Sequence, residues 1–458
     1  MKTTIESQLI QKYNVPVPRY TSYPTVPYWK NDTFSLKKWK ASLIDSFNES
    51  NSKEGVSLYI HLPFCESLCT FCGCHKRITK RHEVEMPYIN AVLTEWDLYC
   101  KLFEGKPNIK ELHLGGGTPT FFSPDHLKQL INGILNKSNL AVDYEFSFEG
   151  HPNNTSTEHL ETLYDLGFRR VSFGVQDYNE TVQRAIHRIQ SFEMVKWVTE
   201  EARRIGYTSI GHDIIFGLPF QTAEHIITTV QNTQLLQPDR LAFYSYAHVP
   251  WMKGNGQRGF RGEDLPFGEE KQQQCELGKQ LLTNAGYHEI GMDHFSLSTD
   301  SLYQSMKKGN LNRNFMGYTT SKTKLLIGLG VSAISDSWYG FSQNVKGVEE
   351  YQYLVNEQII PALKGHILTN EDLIMRTHIL NLMCRFETEW SQNERYSDYM
   401  KTIIERLTEM ENDQLVRIDE NSIKVTEQGK PFIRNICMAF DMHLHRDKRK
   451  TQLFSMTI

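Results

Sequence analysis

The 458-residue sequence predicts an α/β chain of repeated parallel β/α units, followed by a smaller, mainly helical module. Three observations predict it. From Val56 onward, short apolar runs alternate with segments of helical spacing. The glycine-rich and polar clusters fall directly after those runs. Past Gly365 the alternation stops and longer helical patterns take over. Strands and helices that alternate this way form parallel sheets, whose functional residues gather at the carboxyl ends of the strands.

The first ~50 residues include "VPRYTSYPTVPYW", rich in proline and tyrosine among few helix formers, and read as an arm (1–54) extended over the main domain. Strand candidates follow at Val56–Ile60, Ile109–Gly115, Tyr144–Gly150, Arg169–Gln176, Thr208–Gly217 and Arg240–His248. Between them, Ile89, Val92, Leu93, Trp96, Tyr99, Leu102 and Phe103 recur at helical spacing. Ser123 and Pro124 supply a helix cap and a first helical position. Six units are too few to close an ordinary eight-stranded barrel and can form an open one, here over 55–364. In 365–458, "DLIMRTHILNLMC" and "SDYMKTIIERLTEM" read as helices and "LVRIDENSIKVT" as a hairpin turning at Glu420–Asn421. That combination is winged-helix-like and suits a packing or lid module.

Charge is nearly balanced, with 50 basic and 54 acidic residues, which argues against a nucleic-acid binder. The basic "HRDKRK" near the end reads as a solvated tail. No run approaches the ~18 apolar residues of a membrane span, and "MKTTIESQLIQKY" has no apolar signal core. A cytoplasmic home is expected, where thiols stay reduced.

That expectation sharpens the meaning of "CESLCTFCGC", which places Cys65, Cys69, Cys72 and Cys74 together in a chain with eight cysteines. Cys100, Cys275, Cys384 and Cys437 lie apart and read as small apolar residues. A zinc site usually draws on two separated ligand pairs, and no second pair stands at the customary spacing. A redox dithiol needs one Cys-x-x-Cys and leaves two thiols over. An iron–sulfur cluster needs thiolates wrapped around a cube, which a short loop supplies. Cys-x3-Cys-x2-Cys offers three ligands to four irons and leaves one iron open.

This spacing, after the first strand, is similar to the signature of the radical S-adenosylmethionine superfamily. "YIHLPFC", "CGCHK", "LGGGTPT", "GVQDYN", "DIIFGLP", "GMDHF", "GYTT" and "GVSAIS" together resemble the oxygen-independent coproporphyrinogen III oxidases. The resemblance runs from "RYTSYP" to "NICMAFD", nearly the whole chain. It implies a partial (β/α)6 barrel and a 4Fe–4S cluster on Cys65, Cys69 and Cys72, with S-adenosylmethionine chelating the open iron. It also implies a 5′-deoxyadenosyl radical that takes hydrogen from substrate propionates. Loss of carbon dioxide and a further electron then turns two propionates of coproporphyrinogen III into the vinyls of protoporphyrinogen IX.

By the same resemblance, Tyr59, Gly116, Gly117, Glu149 and Ile334 contact the first S-adenosylmethionine. Phe71, Gly117, Thr118, Gln176, Arg188, Asp213 and Ala247 match positions around a second. Asp213 interrupts the apolar strand "HDIIFG", where a buried charge needs a partner or ligand. Tyr59, His61 and Cys74 are placed in the catalytic set, although His61 equally fits a packed hydrogen-bonding role. Arg19 in "RYTSYP" is expected to meet a propionate. His151 departs from the family's acidic or amide residue before the proline of "EGHP". Expected partners are the porphyrinogen and a low-potential electron donor such as flavodoxin or ferredoxin, with no nucleic acid and no membrane span, around a monomer. The rival reading is the related haem-carrying protein without decarboxylase activity, which typically lacks "RYTSYP" and the fourth cysteine; both are present here.

Overall fold

Seven parallel strands organise the molecule, and six of them are the apolar runs of the sequence. These are β1 (Val56–Leu62), β2 (Asn108–Gly116), β3 (Asn139–Gly150), β4 (Phe168–Gln176), β5 (Ser209–Phe216) and β6 (Arg240–Ser245). After them come β7 (His288–Gly291), β8 (His294–Ser296), β9 (Leu325–Leu329), β10 (Ile334–Asp336), β11 (Gly340–Asn344) and β12 (Ala362–Ile367). The computed structural model describes residues 7–29, 34–250, 256–257, 259–447 and 453–457. The start of "MKTTIESQLIQKY" and the second half of the basic tail read at 445–450 lie outside them.

The sheet runs in the order β12-β11-β10-β9-β1-β2-β3-β4-β5-β6-β8-β7, and its edges β12 and β7 do not pair. It is an open barrel. The seventh parallel strand, β9, lies on the free side of β1, with Val56 opposite Leu325 and Ile60 opposite Leu329. Antiparallel hairpins then extend both edges.

Side-chain alternation gives the sheet two unlike faces. Leu58, Ile60, Leu62, Leu112, Leu114, Phe146, Phe148 and Val171 join the core beneath the helices. Each such fully buried side chain contributes about 1.5–3 kcal/mol. The residues between them are polar and point into the barrel. Register aligns them: Tyr59 stands opposite His113, His113 opposite Ser147, and Ser147 opposite Arg170. One step further, Glu149 stands opposite Ser172, Ser172 opposite Gly211, and Gly211 opposite Arg240.

The helices form where the spacing predicts. Glu85–Cys100 buries Tyr88, Ile89, Val92, Trp96 and Tyr99, and Leu102 and Phe103 follow in the turn after it. In Pro124–Leu135 the Ser123 hydroxyl caps the helix by accepting from the His126 N–H.

The first 54 residues differ from the extended arm expected. Helix Leu36–Ser50 buries Trp39, Leu43 and Phe47 in the main core. Ahead of it, Leu9, Ile10, Tyr13, Val17, Tyr20 and Tyr23 belong to a second core with the C-terminal helices. Arg434 donates to the Pro18 carbonyl at 3.2 Å, Asn435 to the Tyr13 carbonyl at 2.8 Å, and the Tyr20 hydroxyl to Asp441 at 3.2 Å. The first part of the arm therefore lies against the C-terminal module and its helix against the main domain. β12 carries Gly365 within the main sheet, so that module starts at helix Asn370–Arg385. Helix Asp398–Asn412 and a three-stranded sheet follow, whose Val416–Ile418/Ser422–Val425 hairpin is the one read from sequence.

Candidate active site

The cysteine loop leaves β1 at the mouth of the barrel and is tied down on every side. Phe64–Cys65 pairs with Arg77–Ile78, the Thr70 N–H donates to the Ile186 carbonyl at 3.0 Å, and Lys76 Nζ donates to the Cys72 carbonyl at 3.1 Å. Cys65, Cys69 and Cys72 are half-buried and line one cavity of about 310 Å3, together with Phe71, Gly117, Thr118, His151 and Arg188. Cys74 is exposed and is not part of that lining. The Thr118 hydroxyl donates to the Cys65 sulfur at 3.4 Å, and Arg188 Nη1 stands 3.9 Å from the Cys69 sulfur. Burial pushes the Cys65 thiol up to about 11. A hydrogen bond from Cys74 holds Cys72 down at about 6 and pushes Cys74 itself up.

The sulfur geometry discriminates between metals. Four thiolates on tetrahedral zinc, at about 2.3 Å each, stand about 3.8 Å apart. Cys65, Cys69 and Cys72 do not gather within 4.8 Å of one another; among the described residues only His366, Asp372 and His443 form such a group. Three soft donors spaced more widely around a cavity fit an iron–sulfur cluster. In the histidine pair, each Nε2 instead meets an oxygen of Asp372, at 3.2 and 2.6 Å. The Thr369 N–H and hydroxyl also donate to that carboxylate, each at 2.9 Å.

The glycine loop after β2 forms the wall of the cavity. Gly116 has φ +115, and a Cβ there would lie 2.8 Å from the His61 ring. A Cβ on Gly117 would meet the Pro63 backbone at 2.7 Å. The N–H groups of Gly117 and Thr118 bond the carbonyls of Leu62 and Phe64 at 2.8 and 3.0 Å, locking this loop to the cysteine loop.

Inside the barrel, the Tyr59 hydroxyl lies 3.0 Å from His61 Nδ1, and His61 Nε2 lies 2.9 Å from the His75 carbonyl. Burial lowers His61 to about 4. Tyr59 packs with Leu326, Ala333 and the edge of Phe315; Ile334 follows Ala333 on β10. Glu149 faces His113 Nε2 and the Gly116 N–H, each at 3.4 Å; burial works against its ionisation, but these contacts outweigh it and the carboxyl stays below its ordinary value. A second cavity, of about 120 Å3, joins Glu149 to Asp213, with His113, Ser172, Tyr244 and His294 around it. Burial, and then the charge of Glu149, raise Asp213 to about 7, against a hydrogen bond from Ser172 at 3.2 Å.

Arg188 donates to the Gly174 carbonyl at 2.6 Å, and Gly174 is the register partner of Asp213. Gln176 ends β4 with φ +69. Ala247, beyond β6, is joined to the cluster loop by Gln257, whose amide donates to the carbonyls of Ala247 (3.0 Å) and Phe71 (3.1 Å). His151, read as a departure, caps the turn Pro152–Asn154 by accepting from the Asn153 N–H, and burial holds it neutral, at about 3. Arg19 forms an ion pair with Asp293 of "GMDHF" and faces the Tyr244 ring, so its guanidinium is engaged within the protein.

Sequence reasoning missed His113, Ser172 and Gln257. A strand buried on both faces reads as near-continuous apolar sequence. Polar residues at every second place in "KELHLGG" and "RRVSFG" break that rule and mark the inward face. Gln257 carries no comparable signal, because its partners are backbone groups, which no side-chain pattern marks.

This open barrel, with a three-thiol loop after its first strand and a glycine loop after its second, defines a radical S-adenosylmethionine protein. Residues 59–232 match the model of the radical SAM superfamily. The chain is 38% identical to the oxygen-independent coproporphyrinogen III oxidase of Escherichia coli, over 98% of both chains. It is 37% identical to that of Helicobacter pylori, over 99% of this chain and 100% of the relative. A solved coproporphyrinogen III oxidase structure from Escherichia coli superposes with a TM-score of 0.89 at 36% identity, covering 97% of this chain and 100% of that one. The chain belongs to the family of oxygen-independent coproporphyrinogen III oxidases.

Proposed function

We propose that the protein is an oxygen-independent coproporphyrinogen III oxidase that converts two propionates of its substrate to vinyls, giving protoporphyrinogen IX. The observation that carries this reading is the single cavity bounded by Cys65, Cys69, Cys72, the Gly117–Thr118 wall and Arg188. A 4Fe–4S cluster with S-adenosylmethionine, when bound, supplies one-electron cleavage and a carbon-centred radical; the protein supplies position, charge and a dry pocket.

Each side chain has a task in that scheme. The three cysteines hold the cluster, and Cys74 supports Cys72 through its thiol. Gly116 and Gly117 let this loop pack against His61 and the Pro63 backbone, where a Cβ would clash, and so hold the cavity wall beside the cysteine loop. Tyr59, positioned by His61, and Ile334 flank the S-adenosylmethionine site, and ionised Glu149 receives its cationic amino group. Phe71, Thr118, Gln176, Arg188, Asp213 and Ala247 surround a second S-adenosylmethionine, with Arg188 facing a carboxylate and Asp213 a cation. The haem-carrier reading is not favoured, because relatives at 36–38% identity over nearly their whole length are named oxidases. Among the described residues no helix is long and apolar enough to cross a membrane. A cytoplasmic monomer served by a low-potential donor such as flavodoxin or ferredoxin completes the proposal.

Anaerobic incubation of reconstituted protein with coproporphyrinogen III, S-adenosylmethionine and dithionite tests it. Protoporphyrinogen IX with two carbon dioxides per substrate is expected. Cofactor cleavage without any vinyl product contradicts the substrate assignment.

A further inference from the structure

Radical chemistry of the kind proposed above needs electrons delivered singly to the cluster, and the fold presents one surface suited to that delivery. Between Cys72 and Glu83 the chain carries His75, Lys76, Arg77, Lys80, Arg81 and His82 and no acidic residue, although the whole chain has a net charge of −4. The segment is fixed to the cluster loop. The Arg77 N–H donates to the Pro63 carbonyl at 2.8 Å and the Thr79 N–H to the Cys65 carbonyl at 2.9 Å. Lys76 and Lys80 line the cysteine cavity, while Arg77 and Arg81 face solvent.

His82 is taken up by buried Glu85 at 2.6 Å, but local pairing neutralises little of the remaining charge. Arg77 meets Glu349 with both side chains well exposed, a contact of small worth. Among the described residues no ion pair engages Lys80 or Arg81. Arg77–Ile78 is strand and His82 opens a short 3-10 turn, so the cations follow one another along a single, largely exposed stretch of surface. The Thr79–Cys65 hydrogen bond links this surface to a cluster cysteine. We propose that Lys76–His82 is the docking surface for an acidic one-electron carrier protein. The carrier's reduced centre loses one electron and the oxidised cluster gains it; no atom or proton is transferred. This inference rests on the cluster assignment but does not need the porphyrin reaction.

The test uses reconstituted holoenzyme, an acidic flavodoxin as probe, and the double variant Arg77→Gln/Arg81→Glu. Binding of oxidised flavodoxin is titrated at low and at 0.3 M salt, and bleaching of the cluster is followed after mixing with reduced flavodoxin or with dithionite. Wild-type affinity is expected to fall as salt rises. The variant is expected to bind flavodoxin at least tenfold more weakly and to be reduced by it correspondingly slowly, with the dithionite rate unchanged. Equal flavodoxin binding by variant and wild type overturns the proposal, as does an equal loss with dithionite, which would mark damage to the cluster loop. Inhibition by inorganic phosphate beyond that of chloride at the same ionic strength would mark a small-anion site instead and also overturn it. Because binding and bleaching are read without porphyrinogen, failure of the oxidase reading leaves this test intact.

Discussion

His61 sits between two oxygens and can serve them in only one way. The His75 carbonyl, 2.9 Å from Nε2, only accepts, so Nε2 carries the proton and Nδ1 accepts from the Tyr59 hydroxyl at 3.0 Å. The ring is thereby fixed as a neutral tautomer that orients Tyr59. His61 is a positioning residue in this arrangement.

Replacing it tests that role. His61→Phe leaves a buried hydroxyl and a carbonyl unpaired, at a cost of about 1–3 kcal/mol. Melting should fall by several degrees and S-adenosylmethionine should bind about tenfold more weakly, with iron content retained. His61→Gln, which can both donate and accept, should recover much of the affinity. Calorimetric titration compares the three proteins; equal weakening by Phe and Gln contradicts the positioning role.

Burial of neutral histidines also sets the acid limit of the fold. His61 titrates at about 4, and His151, His212 and His294 at about 3, all lowered by burial. In the unfolded chain these rings protonate near 6.5. Between those values the unfolded state binds more protons, so stability is fully present above pH ~6.5 and is lost as pH falls toward 4. For His61 alone the loss reaches about 3 kcal/mol at 1.36 kcal/mol per unit. The urea midpoint under argon should drop steeply from pH 6.5 to 4.5, and less steeply for His212→Leu. A flat midpoint contradicts the burial.

The four clustered cysteines should separate into two classes. Cys69→Ser removes a thiol of the cavity and should abolish cluster absorption and bound sulfide. Cys74→Ser removes a thiol outside the cavity lining, so iron and sulfide should stay near wild-type levels while turnover falls. Equal cluster loss in both variants contradicts the distinction.

Asp213 provides a pH signature. With its carboxyl at about 7, it is mostly protonated at pH 6 and mostly ionised at pH 8. Affinity for a cationic ligand should therefore rise through pH 7. Asp213→Asn should weaken binding about tenfold at pH 8 and flatten the profile while leaving the cluster intact. An unchanged profile removes Asp213 from the site.

The chemistry of the mouth of the barrel was legible because it is local. The cysteine and glycine loops each lie in one short stretch directly after an apolar run, and both fall where parallel strands expose their ends. β9 was not legible as a seventh strand, because its neighbour β1 lies some 270 residues earlier and "LLIGL" is too short to announce a partner. The packing of the arm's first part against the C-terminal helices was not legible for the same reason. Val17 and Pro18 are held by Arg434, more than 400 positions away, and no local pattern encodes that contact. The inward polar residues were hidden by reading the strands as apolar runs, when their period of two already divided Leu112 and Leu114 from Glu111 and His113.

The most direct test of the account is the metal content of protein purified and reconstituted without air, together with its resonance spectrum before and after S-adenosylmethionine is added. The account predicts about four irons and four acid-labile sulfides per chain, and a reduced-cluster signal that shifts when the ligand reaches the open iron. A colourless protein holding zinc and no sulfide, or a cluster whose signal is indifferent to S-adenosylmethionine, would contradict it.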